Sequence, residues 1–235
     1  MQKQEIRKRI WNLMEKEGVS LFPGSKGRIP NFKGADSAAN LLSNLKEWQN
    51  AKAIKANPDS PQRAVRHLAL NSGKTIFMAV PRLRDKKCFI KLDPSKINPK
   101  DISKASSIKG AFKYGIPVHP KEIQQVDLIV AGSVAVSRKG SRIGKGGGFS
   151  DLEYAIGREF GFVKEDIPIV TTVHPLQIVD GELPECDHDF KIDFIVTPDE
   201  VISTKREGGR PKGIIREHLK EEKIEEIPIL QEILS

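Results

Sequence analysis

Apolar positions along the chain change period several times, and each change marks an element. Ile6, Ile10, Leu13 and Met14 recur at helical spacing with Lys3, Arg7, Lys8 and Arg9 among them, which predicts an amphipathic first helix with a basic shoulder. Pro23, Gly24, Gly27 and Pro30 then punctuate a loop, and from about Ser37 a second helix is expected with Leu41, Leu42, Leu45 and Trp48 on one face. A third helix is expected with Ser60 as N-cap, Pro61 at its first position and Gly73 just past its end, followed by a strand from Thr75 to Val80. "CFIKLD" predicts another strand, "VDLIVAGSVAV" reads as one nearly continuous buried strand, and "SDLEYAIGREFGF" has helical character. "PIVTTV" and "KIDFIVT" complete a set of short apolar strands. Helices alternating with buried strands predict a three-layer αβα domain around a mostly parallel sheet.

After Ser203 the pattern changes. "TKREGGRPKG" is a basic connector, and "IIREHLKEEKIEEIPILQEILS" carries Ile and Leu at roughly helical spacing among acids. The expected division is therefore an α/β domain over residues 1–203 and a peripheral helical extension over 204–235, docked on the domain or on a second subunit.

Composition narrows the partners. The chain of 235 residues carries a formal net charge of +8 with a sequence pI of about 9.4, which favours anions: nucleic acid, nucleotides or polyanionic cofactors. Aromatic residues make up only 6%, so no aromatic-plus-basic surface of the kind that stacks single strands stands out. Cys88 and Cys186 form no CxxC pair and suit a reducing compartment, and the charged N-terminus has no apolar segment of a signal peptide. A cytoplasmic, unanchored protein is the expectation. His174, Cys186, His188 and Asp189 lack the spacing of a zinc site, while Trp11 and Trp48 have apolar neighbours and are expected in the core.

The densest chemistry lies in "GSRIGKGGGFSD", residues 140–151. It fails the Walker pattern because Gly144-Lys145 is followed by Gly146, and Gly73-Lys74-Thr75 fails it because Leu68 stands where the leading glycine belongs. The dinucleotide GxGxxG pattern fits no better. Yet consecutive glycines between a buried strand and a helix let backbone N–H groups converge on an anion at a helix N-terminus. Lys139, Arg142 and Lys145 add charge, and Asp151 is placed to cap the helix or to hold Mg²⁺. On spacing alone the alternatives are a phosphate cradle and a flexible basic loop.

"DLIVAGSVAVSRKGSRIGKGGGFSD" resembles the signature of the 5-formyltetrahydrofolate cyclo-ligase (methenyltetrahydrofolate synthetase) family, whose segment reads Gly-x-Arg-Leu-Gly-x-Gly-x-Gly-Tyr-Tyr-Asp. Lys3 and Arg7 reproduce the family's N-terminal Lys-x-x-x-Arg, "VPRLR" is similar to its Pro-Arg segment, and "KYGIPVHP" to its aromatic-x-Ile-Pro segment. "LQIVDGELPECDHDFKIDFIVT" follows its Gln, Leu-Pro, His-Asp and Asp-x-Ile-x-Thr series in order. "NPDSPQRAVRHLAL" and "GFSDLEYA" bring the chain nearest to the branch of methenyltetrahydrofolate synthetase domain-containing proteins, here expected without the RNA-recognition domain of that branch in animals.

The resemblance implies a ribose-isomerase or CoA-transferase type of α/β fold and a ligase reaction. ATP phosphorylates the formyl oxygen of 5-formyltetrahydrofolate, a second folate nitrogen closes on the activated carbon, and phosphate leaves to give the 5,10-methenyl form. Such chemistry needs positioning and charge neutralisation more than a nucleophilic side chain. Carried over by position, Lys3 and Arg7 meet nucleotide phosphates, while Arg142 and Lys145 with Gly144, Gly146, Gly147 and Gly148 cradle the transferring group. Asp151 holds Mg²⁺, Tyr114 stacks on the pteridine, and Phe149 faces the substrate. The chain departs from the pattern where Phe149-Ser150 replace the paired tyrosines and Ala131-Gly132 replace Pro-Gly. That departure motivates the alternative of an altered member that binds nucleotide, folate or RNA.

Overall fold

The computed structural model describes residues 2–204, 206 and 208–235. The expected first helix is α1 (Lys3–Lys16), burying Ile6, Ile10, Trp11 and Met14. The expected second helix divides into α2 (Ala35–Leu42) and α3 (Lys46–Asn50). Between them the Ser43 hydroxyl donates to Asn40 O at 2.6 Å, a local bond that competes with the helical ladder. Then come β1 (Ala53–Ala56), α4 (Gln62–Asn71) and β2 (Thr75–Ala79). Ser60 does not cap α4, because Pro61 already has helical backbone there and no side chain caps the end; Gly73 follows it with φ +75° as expected. Next in the chain are β3 (Phe89–Leu92), α5 (Ile102–Ala105), α6 (Ile108–Tyr114), β4 (Ile116–Val118) and β5 (Leu128–Ala131).

The long apolar run is two strands. After β5 the chain turns at Gly132-Ser133, and β6 (Ala135–Ser137) leaves for a second sheet with β7 (Arg142–Ile143). A side chain here would crowd its neighbours, since a Cβ on Gly132 would stand 2.9 Å from Gln62 Oε1 and 3.0 Å from Ile29 Cγ2. The chain then runs through α7 (Phe149–Glu159), β8 (Ile169–Thr172), β9 (Ile178–Val179), β10 (Phe194–Val196), β11 (Val201–Ser203), α8 (Glu221–Glu226) and α9 (Pro228–Leu234).

The main sheet has the order β11-β10-β8-β5-β1-β2-β3-β4, and β9 joins β6 and β7 in the smaller one. The pairs β10–β8, β8–β5, β5–β1 and β1–β2 are parallel, while the pairs β11–β10, β2–β3 and β3–β4 toward the edges are antiparallel, so that β11 and β3 run against the other strands. Leu128–Ala131 and Ile169–Thr172 are buried at every position because helices cover both faces. One face packs under α1, α2, α4, α5 and α6, the other under α7, α8 and α9. The C-terminal extension is thus docked on the domain, where Ile224, Ile227, Ile229 and Leu230 fill the second core. Lys205 and Glu207 of the expected connector lie outside the described residues. No helix among the described residues is long and apolar enough to cross a membrane.

One charge pair is built into this packing. Lys55 of β1 and Glu153 of α7 are 2% and 6% exposed and form an ion pair between sheet and helix. Removing one partner leaves an uncompensated buried charge, whereas replacing both with apolar groups is often neutral. Lys55→Met is expected to lower stability in urea unfolding by about 3–5 kcal/mol, and Lys55→Met with Glu153→Leu to recover most of that loss. A single variant as stable as the parent would show that the pair is dispensable.

Candidate functional site

A cleft of about 780 Å³ opens at the C-terminal ends of β1, β2 and β5, the position at which parallel α/β sheets bind ligands. Its walls include Asn57 and Asp59 after β1, Pro81 and Arg82 after β2, Gly132 after β5, the start of α1, and the loop from Gly144 to Gly148. Arg82 and Leu83 hold left-handed backbone (φ +59° and +53°), a conformation costing side-chain-bearing residues about 1–3 kcal/mol each. Leu83 is buried by this kink and Arg82 is left on the cleft wall.

The glycine loop joins β7 to α7. Gly146 (φ +113°) and Gly148 (φ +65°) take conformations that other residues rarely adopt, and Gly148 is the N-cap of α7, with no side chain capping the helix. From residue 144 to residue 151 no backbone N–H donates a hydrogen bond among the described residues; the first to do so is Leu152, to Gly148 O at 3.1 Å. The loop's carbonyls, by contrast, are taken by cations. Arg7 Nε donates to Gly144 O at 2.7 Å and Lys223 Nζ to Gly147 O at 3.0 Å. Burial lowers the Arg7 pKa, with Asp189 opposing the shift and Arg142 adding to it.

The residues expected at the phosphates do not all point there. Arg142 is buried, donates to both oxygens of Asp151 at 2.9 Å and to Gly132 O at 2.9 Å, and lies 4.4 Å from the Phe190 ring centroid. Its guanidinium ties the two ends of the loop together, and Asp151 does not cap α7 but receives this arginine. Lys3 pairs with Asp189, which also accepts from the Cys186 N–H at 2.7 Å. Lys145 is half-exposed and pairs with Asp59 at 3.3 Å. Lys139 pairs with Glu182 and does not line the cleft.

Tyr114 is not brought to the cleft. It packs against the first core with Lys113 Nζ 5.3 Å above its ring, and α6 contributes Ile108 to the cleft instead. Phe149 does line the cleft, under Lys223 Nζ at 5.0 Å. Ser150 donates to Asn57 Oδ1 (3.3 Å), and Asn57 Nδ2 donates to Glu153 Oε2 (3.3 Å), so a polar chain runs from the loop down to the Lys55–Glu153 pair. These inward polar residues were missed, although a lysine inside the apolar stretch "AIKA" and a glutamate in "DLEYA" are the signals that mark them. His174 caps its own turn by accepting from the Leu176 N–H, and no group of three metal-binding side chains occurs among the described residues.

Comparison with known proteins agrees with this architecture. The sequence profile of the 5-formyltetrahydrofolate cyclo-ligase family matches residues 1–198. A mouse protein named methenyltetrahydrofolate synthase domain-containing protein is 44% identical over 236 residues, covering 98% of this chain and 63% of its own length. The human protein of the same name is 42% identical over 235 residues, covering 98% of this chain and 61% of its own. This chain therefore spans less than two thirds of those relatives. The solution structure of Aquifex aeolicus 5,10-methenyltetrahydrofolate synthetase superposes with a TM-score of 0.53 at 20% identity, over 88% of this chain and 95% of that one, a likeness of fold. A profile match over most of the length, together with relatives above 40% identity, shows that the chain belongs to the 5-formyltetrahydrofolate cyclo-ligase family.

Proposed function

We propose that the cleft is the active site of an ATP-dependent cyclo-ligase acting on 5-formyltetrahydrofolate or a related reduced pterin. The observation that carries the reading is the run of unpartnered backbone N–H groups from 144 to 151 at the start of an eleven-residue helix. Residues 145–148 are exposed, so these N–H groups are open to the cleft, and at a helix N-terminus the ligand they suit is an anion. Lys3, Arg7 and Lys145 surround the loop with charge for a polyphosphate.

In the reaction the γ-phosphoryl group of ATP moves to the formyl oxygen with loss of ADP. The second folate nitrogen then forms its bond to the formyl carbon, and the carbon–oxygen bond breaks to release phosphate. Loop N–H groups hold the transferring group, Lys145 neutralises charge on it, and Arg142 keeps the loop closed through Asp151.

Mg²⁺ suits the donor set. Asp151 and Asp189 bring two carboxylates to the cleft wall, and Mg²⁺ is ordinarily held by one or two carboxylates plus substrate phosphates rather than by a protein cage. The ion would supply neutralisation of the phosphate oxygens.

A second reading, a member that binds nucleotide or a pterin without turnover, or binds RNA through its basic surface, is favoured by the hydroxyl of Ser150, which joins a polar chain where the family pattern has an aromatic wall. One assay divides the two. The protein is expected to convert 5-formyltetrahydrofolate with Mg-ATP to a product with methenyl absorbance, releasing ADP in step. ADP without methenyl absorbance would point to another acceptor, and the absence of both would leave the binding reading, with a salt-sensitive RNA shift in its favour. Lys145→Ala is expected to lower kcat/KM by about 10²-fold with an unchanged thermal midpoint, because its side chain is half-exposed and supports no packing.

Binding can be followed through the cysteines. Cys88 is fully buried and its thiol is pushed up to about 12 by that burial, while Cys186 is exposed on the cleft rim 3.6 Å from Lys3 Nζ. One thiol per native chain is expected to react with iodoacetamide, and Mg-ATP is expected to slow that reaction. An unchanged rate at saturating nucleotide would count against a nucleotide beside Lys3.

A further inference from the structure

The extension beyond the family match reaches the glycine loop. Arg210 fastens its start: the guanidinium is buried, pairs with Asp193, and donates to Ile167 O at 2.6 Å and Lys191 O at 3.1 Å. Farther on, the apolar side of α8 and α9 is buried in the second core, so the segment is held at both ends. His218 meets the cleft-rim His188, Nδ1 to Nδ1 at 2.9 Å. One turn later Lys223 lies over the loop itself, its Nζ 3.0 Å from Gly147 O, 5.0 Å from the Phe149 ring centroid and 3.2 Å from where a Cβ on Gly148 would stand.

A lysine that only covered Phe149 would keep its ammonium in water. Lys223 instead turns inward and is half-buried, and burial lowers its pKa against the opposing pull of Asp151 and Glu226. Among the described residues no carboxylate lies within ion-pair distance of it, and its one hydrogen bond uses one of three donors. Lys3, Arg142 and Lys145 each have a carboxylate partner. The two cations gripping loop carbonyls, Arg7 and Lys223, have none within that distance among the described residues. A half-desolvated cation without a counter-ion is unfavourable, and it stands beside exposed loop N–H groups that donate to no protein acceptor among the described residues. An oligophosphate on the loop would meet both the ammonium and these donors.

We infer that Lys223 is a phosphate-binding residue of the glycine loop, supplied by an extension that lies outside the family's shared span and that the curated relatives align with. The inference rests on the nucleotide reading above. It explains why a segment after the conserved domain is anchored so firmly: the anchoring fixes one ammonium at the loop.

The test is calorimetric titration of the full chain with Mg-ATP and with inorganic tripolyphosphate. Lys223→Met keeps the stem over Phe149 and removes the charge, and is expected to weaken both ligands about tenfold without moving the thermal midpoint. Lys223→Arg is expected to restore binding to within about threefold, a rescue that a merely packing role would not show. If the parent binds either ligand and Lys223→Met binds it equally well, or if arginine does no better than methionine, the inference is wrong while the nucleotide reading stands. If the parent binds neither, both fall together.

Discussion

The ion pair between Arg142 and Asp151 closes the neck of the glycine loop, and the site depends on it. One partner precedes the loop on β7 and the other follows it in the first turn of α7, so the chain between them begins and ends at one point. The same guanidinium holds Gly132 O at the end of β5, which ties the loop to the central sheet, and lies against Phe190. Burying a charge pair is costly unless its other hydrogen-bonding groups are met. Here one guanidinium nitrogen meets both Asp151 oxygens, a second meets a carbonyl and the face lies on an aromatic ring, which offset part of that cost, while Arg142 Nε is buried without a hydrogen-bond partner among the described residues. Between these tied ends glycine holds left-handed backbone at 146 and 148, and the N–H groups from 144 to 151 donate to no protein acceptor among the described residues.

The charges around the cleft fall into two kinds. Lys145–Asp59 and Lys3–Asp189 are part-exposed, and such pairs are worth roughly 0–1 kcal/mol. A polyphosphate of the proposed kind would therefore replace a carboxylate partner at little cost, and each released carboxylate would be available to a cation that travels with it. Lys55–Glu153 is of the other kind. It is buried between sheet and helix, so the ligand meets it through Asn57 and Ser150 rather than by breaking it. The cleft thus has part-exposed ion pairs at its rim and a buried polar floor.

Periodicity made much of this legible. The spacing of Ile6, Ile10 and Met14 gave α1, and the apolar strands gave a parallel sheet covered on both faces. It failed where a single local contact decides. Nothing in "VDLIVAGSVAV" says that the chain leaves the sheet at Gly132, because the crowding by Gln62 and Ile29 comes from distant segments. The second helix breaks at Leu45, whose backbone is extended. Tyr114 had the right residue type after a matching motif, yet α6 turns Ile108 to the cleft and leaves the tyrosine beside Lys113. The glycine loop was readable as a basic turn between a strand and a helix, but not the contacts within it, since Arg142, expected to be catalytic, and Asp151, expected to hold a metal, hold each other in space.

The exchange of the family's paired tyrosines for Phe149-Ser150 takes on a different meaning in three dimensions. Phe149 keeps an aromatic face, and that face is covered by the ammonium of Lys223. Ser150 gives up a ring and gains a place in the chain through Asn57 and Glu153 to Lys55. Both positions line the cleft, one presenting a ring to a lysine and the other a hydroxyl to an amide. The cleft keeps the resemblance to the family pattern in Lys3, Arg7 and the glycines and departs from it at residue 150, where a ring gives way to a hydroxyl. In the proposed reaction, nucleotide binding and choice of acceptor would then rest on separate residues.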